Sequence, residues 1–333
     1  LVEGLFGIAE AKQIDIMYDT AAQFLLMDAG GRIAGLIAKA KEGMIRIDAK
    51  AIILACGGFE GSPEMRRSYL GKGWELVKVR GTRYNTADGF RMAREVGAQM
   101  CGHVGCAHAS VVSEDSPPLE AVGSIRYSYP FSIMVNTEGK RFVDEGEDFI
   151  AYTYGKFGQE IAKQPGGVAY QVFDAKVFPL LRPEYEQALH AQGNSMEELA
   201  DEIGVDPDAF VQTVEEYNGA IRADMQFDPA RQDGLQTYGL NPDKTNWAQP
   251  IDTPPYKAFA VVCGITFTYG GLKINKKCQV IDTRDIPIDG LYAIGEISGG
   301  LFYHNYLAGA GLMKGAVGGR IAAAEAVAWA SRK

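Results

Sequence analysis

Ala49-Lys50-Ala51-Ile52-Ile53-Leu54-Ala55-Cys56-Gly57-Gly58 is the stretch on which the fold turns. Residues 51–55 are a continuous apolar run ending in paired glycines. That is how a strand buried on both faces reads, and such strands belong to parallel sheets. Upstream, residues 14–28 and 32–40 have strand texture around the turn Ala29-Gly30-Gly31-Arg32, with a second turn near Glu42-Gly43. Downstream, Ser62-Pro63-Glu64 starts a short helix, with Ser as N-cap and Pro at the first position. Residues 87–99 predict an amphipathic helix with Asp88 near its start, a position where Asp also serves as N-cap.

The texture changes over 109–257. IMVNTEGKRFVDE holds a Thr137-Glu138-Gly139 turn, and residues 197–225 read as two helices separated at Gly204-Val205-Asp206-Pro207. Proline and aromatic residues gather over 229–256 in a looping return. Strand texture comes back over 260–281, Gly290 to Glu296 is another buried strand, and a long helix closes the chain. The pattern predicts an α/β protein. One domain is made from residues 1–108 and 258–333, and a different domain, 109–257, is inserted between its halves.

Composition sets the outer limits. The 333 residues are 47% hydrophobic and 23% charged, enough for the cores of about two domains at roughly 150 residues each, and too apolar for disorder. The net charge of −9, from 33 Lys and Arg against 42 Asp and Glu, argues against a nucleic-acid binder, which needs clustered cations. Cys56, Cys101, Cys106, Cys263 and Cys278 form no C-x-x-C pair, which points to a reduced, cytoplasmic protein without a metal site. No run of about 18 apolar residues spans a membrane, and the first residues carry no signal-peptide pattern.

Asn305-Tyr306-Leu307-Ala308-Gly309-Ala310-Gly311-Leu312 opens the closing helix. Small residues there let a ligand approach the backbone, and the positive end of the first turn suits an anion or a group gaining negative charge. Close helix–sheet packing is the other reading of the same glycines. Glu296, at the end of the preceding strand, is well placed to hold sugar or polyol hydroxyls. A G-x-G-x-x-G fingerprint is missing, since Gly309, Gly311 and Gly315 give only G-x-G-x-x-x-G.

Taken in order, AKAIILACGGFEGSPEM, TADGFRMAREVGA, IMVNTEGKRFVDEG, TYGGLKINKKCQVIDTRDIPIDGLYAIGE and GLFYHNYLAGAGLMKGAVGGRIAA resemble the FAD-dependent fumarate reductase/succinate dehydrogenase flavoprotein superfamily. GITFTYGGL, FYHNY, FVDEGEDF with TYGKFG, and KTNWAQPIDTPPY are most similar to tricarballylate dehydrogenase-like proteins. The resemblance spans essentially the whole chain. It implies a Rossmann-like FAD-binding domain around an inserted capping domain. Family members also have a strand, G-x-G-x-x-G and helix for the ADP pyrophosphate, which nothing here matches. The expectation is therefore that this unit is missing or is supplied by a partner chain. By resemblance, Ala55, Cys56, Gly57 and Gly58 lie on the adenosine and pyrophosphate side of FAD, and Asp88 and Gly89 approach it. Thr268 and Tyr269 lie beside the isoalloxazine, and Glu296 binds FAD hydroxyls. The loop Gly309-Ala310-Gly311-Leu312 brings amides to the flavin N1/O2 edge, where the helix dipole stabilises reduced flavin.

The resemblance also implies departures. The arginine proton donor of fumarate reductases is replaced at Phe149 and Ile150, a substrate histidine by Phe267, and a carboxylate-binding arginine by Tyr306. That argues against fumarate reduction. The candidate catalytic residues are His108, Tyr306, His304 and Arg126. Tyr306 is either a phenol donating to a substrate carbonyl or an aromatic wall. His108 is either a substrate ligand or a structural histidine. Arg126 either grips a carboxylate or forms a surface ion pair. The expected activity is dehydrogenation or reduction of a C–C bond beside a carboxylate or carbonyl, with a quinone or electron-transfer protein as acceptor. A ketone-directed dehydrogenase, or a non-catalytic remnant needing a partner chain, are the alternatives.

Overall fold

The apolar run forms a short strand, Ile52–Leu54, that pairs in parallel with Pro287–Ala293, setting Leu291 opposite Ile52 and Ala293 opposite Leu54. Gln279–Ile281 joins that strand antiparallel on its other side. In this computed structural model residues 1–222 and 224–332 are described. The upstream strands Ala21–Met27, Ile33–Ala40 and Gly43–Asp48 form an antiparallel meander. It shares one core with the parallel pair, in which Leu25, Ile33, Leu54, Phe90, Leu291 and Ala293 pack together.

Two local expectations change here. Strand structure starts at Ala21 rather than at residue 14. Val2–Ala11 is a helix with no buried residue, and its Leu5, Phe6 and Ile8 are exposed. Leu5, Ile8 and Ala9 have helical spacing, but Gly4 and Gly7 weaken that signal.

The centre of the second region is the 13-residue strand Tyr256–Thr268. Along one edge it pairs with Val168–Phe173, which continues to Ile133–Asn136, and with the parallel strand Lys78–Val79. Along the other it pairs with Ala191–Gly193 and Ala107–Ser113. The strands Ala107–Ser113 and Tyr256–Thr268 cross the positions 108/109 and 257/258. Helices Met196–Ile203 and Pro207–Ala220 break where expected, at Gly204 with φ 67°. Their N-caps are Ser195, which accepts from the Glu198 amide (3.2 Å), and Asp206, which accepts from the Ala209 amide (2.8 Å).

Charge is also enclosed in this region. Arg141 and Glu145 pair at 2.6 Å with both side chains buried, and Glu145 accepts from the Met134 amide at 2.6 Å. Lys244 is buried and donates to the Ser132 carbonyl at 2.6 Å, and burial brings its pKa down to about 8. The closing helix Ala310–Ala330 differs, burying only Ala322 and Ala326 of its 21 residues. No helix among the described residues is long and apolar enough to cross a membrane.

Candidate functional site

The parallel strands end together, so the segments leaving them, Ala55–Gly58 and Ile294–Glu296, lie side by side. The carboxyl ends of parallel strands are where open α/β sheets bind ligands. Two helix starts converge on this edge. In Asp88–Glu95, Gly89 abuts Cys56 and Ile297, and in Ala310–Ala330, Gly315 abuts Gly295. Asp88 is the first helical residue rather than the cap. Ala87 caps the helix at φ 69° without a side-chain bond, while the Thr86 hydroxyl donates to the exposed Asp88 carboxylate at 2.7 Å.

Gly58 has no room for a side chain, because a Cβ would collide with Thr268 Oγ1 and the Glu296 carboxylate. Glu296 accepts from the Thr268 amide at 2.6 Å and hydroxyl at 2.9 Å. Thr268 and Tyr269 are both fully buried. A second carboxyl faces this one. Glu60, held by the Asn85 side-chain amide, is buried, and its Oε2 has no partner. Burial and the nearby Glu296 charge push the Glu60 pKa well up, and burial also raises that of Glu296. Two buried carboxyls this close resist ionising together.

The glycine loop is open. Gly309 starts the helix at φ 79°, a left-handed conformation that glycine adopts without strain, and Gly309 and Leu312 are exposed while Ala310 and Gly311 are half-buried. Instead of a side-chain cap, the Tyr306 phenol sits at the helix start and accepts the Gly311 amide at 2.8 Å. Its own hydroxyl hydrogen is then available to an outside acceptor.

Around Tyr306 lies an aromatic cluster. His108 crosses it edge-on at 4.6 Å between ring centres and meets Tyr154 at 4.7 Å. Phe302 lies at 4.7 Å and Phe267 at 5.6 Å from the Tyr306 ring. His108 is buried, and its Nδ1 has no partner. Burial, with the charge of Arg80, depresses its pKa to about 3, so it is neutral at ordinary pH. Burial pushes the Tyr154 phenol up to about 12.

Of the sequence candidates, His108 and Tyr306 thus meet. His304 is exposed at φ 59°, its amide donating to His103 Nδ1 at 3.1 Å. Arg126 lies elsewhere, buried over the Tyr185 ring at 5.5 Å and donating to the Ile125 carbonyl at 2.9 Å. Sequence reasoning missed Glu60, Arg80 and Tyr154. Glu60 had a faint signal, two residues past the paired glycines. Tyr154 lay inside the TYGKFG stretch without being singled out, and Arg80 had no signal. All five cysteines are free, and among the described residues no cluster of His, Cys, Asp and Glu is arranged to hold a metal.

The donor set fits a flavin nucleotide. An open helix start, a glycine edge with no space for side chains and a partnerless oxygen on Glu60 all face the same strand ends. Residues 1–312 match the family described as FAD binding domain, and the chain belongs to that family. A probable fumarate reductase of Shewanella frigidimarina is 30% identical over 329 residues, covering 97% of this chain and 52% of that protein. The solved open conformation of a flavocytochrome c3 fumarate reductase superposes with a TM-score of 0.77 at 28% identity, over 99% of this chain and 56% of the other. A 3-ketosteroid delta1-dehydrogenase from Sterolibacterium denitrificans gives 0.76 at 25% identity, over 96% and 61%. The mixed helix-and-sheet fold is therefore that of flavoprotein fumarate reductases. The chain spans about half the length of the Shewanella relative, 52%.

Proposed function

We propose that this member of the FAD binding domain family is an oxidoreductase that makes or removes a C–C double bond beside a carboxylate or carbonyl. In this reading residues 1–108 and 258–333 form a Rossmann-like FAD domain, and 109–257 caps it. Ala55, Cys56, Gly57, Gly58, Asp88 and Gly89 would hold the adenosine and pyrophosphate side. Thr268, Tyr269, Glu296 and Gly309 to Leu312 would hold the isoalloxazine and ribityl side. When bound, FAD supplies a two-electron acceptor or donor for the CH–CH unit. The cytoplasm as location, and a quinone or electron-transfer protein as acceptor, belong to the same reading.

One observation carries the proposal, the Tyr306 phenol bound to the Gly311 amide at the start of the closing helix. An amide bonded to the phenol oxygen, together with the positive helix end, makes the hydroxyl a better donor. Donating to a substrate carbonyl oxygen, it draws electron density from the adjacent carbon and loosens that carbon's C–H bond. Neutral His108 offers Nδ1 as an acceptor beside it without adding a charge that would compete. Phe302 and Phe267 exclude water from the Tyr306 ring.

An acid substrate of the tricarballylate kind is the first choice. A ketone is the second, favoured by a phenol standing where a carboxylate enzyme has arginine. The test is to mix the purified protein with FAD, pass it through gel filtration and record the visible spectrum. The retained flavin is then bleached with candidate acids and ketones. A protein that emerges colourless, or a flavin that no candidate bleaches or reoxidises, overturns the reading.

A further inference from the structure

One cation faces the aromatic cluster without a counter-charge. Arg80 follows the short strand Lys78–Val79, and its amide donates to the Ile265 carbonyl at 2.9 Å. This places the side chain against Ser110 and Thr266. Its Nη1 makes only two long contacts, 3.4 Å to Ser110 Oγ and 3.5 Å to Thr266 Oγ1, near the limit of a hydrogen bond. Its Nε is buried with no partner. Arg80 takes part in none of the ion pairs among the described residues.

Its charge is felt at the cluster, lowering the pKa of His108 and opposing the rise at Tyr127 and Tyr154. Arg182 also reaches Tyr127 electrostatically, but it is paired with Glu184 at 3.5 Å. Arg126 is spread over the Tyr185 ring. A half-buried guanidinium with poor hydrogen bonds and no carboxylate costs stability, and such a group is retained where an anion arrives to complete it.

We propose that Arg80 holds a substrate carboxylate, so that the substrate is a bifunctional acid with one anionic group for Arg80 and a second carbonyl or carboxyl oxygen for Tyr306. The guanidinium fork matches a carboxylate, which replaces the two long hydroxyl contacts with short, charge-assisted bonds. His108, edge-on to Tyr306 and within reach of the Arg80 charge, is neutral and so does not repel the cation. This assignment rests on the reading of the cluster as the substrate side of a CH–CH oxidoreductase, and names the substrate class that reading leaves open.

The test is calorimetric binding to the FAD-loaded protein of three probes, tricarballylate, 4-oxocyclohexanecarboxylate and neutral 4-methylcyclohexanone. Arg80→Gln is expected to weaken both acids by roughly 10- to 150-fold and to change the ketone less than about twofold. Arg80→Lys, which keeps the charge and loses the fork, recovers part of the loss. Thermal melting checks that both variants stay folded. Acids that bind Arg80→Gln as tightly as the parent, or a parent that binds only the ketone or none of the three, overturn the assignment. Acids that bind through Arg80 but never bleach or reoxidise the flavin uphold the assignment and overturn the proposed reaction instead.

Discussion

The two regions treat apolar surface in opposite ways. In the inserted region, helices Met196–Ile203 and Pro207–Ala220 bury Leu199, Phe210, Val214 and Tyr217 against the sheet, and the Arg141–Glu145 pair and Lys244 are sealed inside. In the region built from the chain's two ends, the closing helix buries two alanines and leaves Leu312, Met313, Val317 and Val327 exposed. The strand Ile52–Leu54 pairs on one side only among the described residues. The first region is a packed core that holds its shape by enclosure. The second presents backbone and small residues, which suits an edge that receives a flat, anionic ligand.

The sharpest way to break this contrast is Glu145→Gln. It leaves Arg141 without its partner and Lys244 with less compensation, and should cost about 3–5 kcal/mol in urea unfolding. The surface pair at 3.3 Å between Lys277, in the turn before Gln279–Ile281, and Glu325 of the closing helix is the control, and Glu325→Gln should cost less than about 1 kcal/mol. Equal losses would erase the distinction.

Where the regions meet, Tyr306→Phe should lower turnover about 10²- to 10³-fold with melting little changed. Gly311→Ala is a second approach to the same bond, since its Cβ would lie 2.6 Å from the phenol oxygen and displace it. An active Tyr306→Phe protein would reduce that residue to an aromatic wall.

Stability against pH compares one lysine from each region. Burial lowers both Lys244 and Lys314 to about 8. Between that pH and 10.5 each lysine is protonated in the unfolded chain but not in the folded one, so each on its own makes stability rise with pH, against the opposite contribution of buried thiols and phenols such as Cys263 and Tyr185, whose pKa values burial raises. Lys244→Met should flatten the larger part of that rise and Lys314→Met, less enclosed, the smaller part. Denaturation midpoints from pH 7 to 11 read both as differences between variant and parent, and variant profiles that run parallel to the parent's would contradict them. The smallest effect belongs to the outer face of the closing helix, where Val327→Ser should move stability by no more than about 0.5 kcal/mol. A large loss there would show that the face is covered.

Much of the fold was written locally. The run 51–55 with its glycines, Pro63 at a helix start, Gly204 between two helices and the small-residue opening at Gly309 each carry their own steric or capping signal. The candidate site was legible where it coincided with those signals, at Gly57, Gly58, Glu296 and Tyr306. It was illegible at Arg80, and Tyr154 stood only as one letter of TYGKFG. Arg80 reaches Thr266 across 186 positions of chain, and nothing in its neighbours' spelling marks that meeting. Arg126, attractive as a cation among tyrosines, lies instead over the Tyr185 ring, its amide donating to the Val111 carbonyl at 3.0 Å.

Periodicity, turns and caps are properties of neighbouring residues, so the chain's order of strands and helices, its family likeness and its glycine edge could be read without coordinates. Which charges are sealed, which phenol meets which amide and which guanidinium is left unpaired depend on strand registers that join distant segments. Those registers are set by packing summed over whole sheets, and no short window of residues contains them.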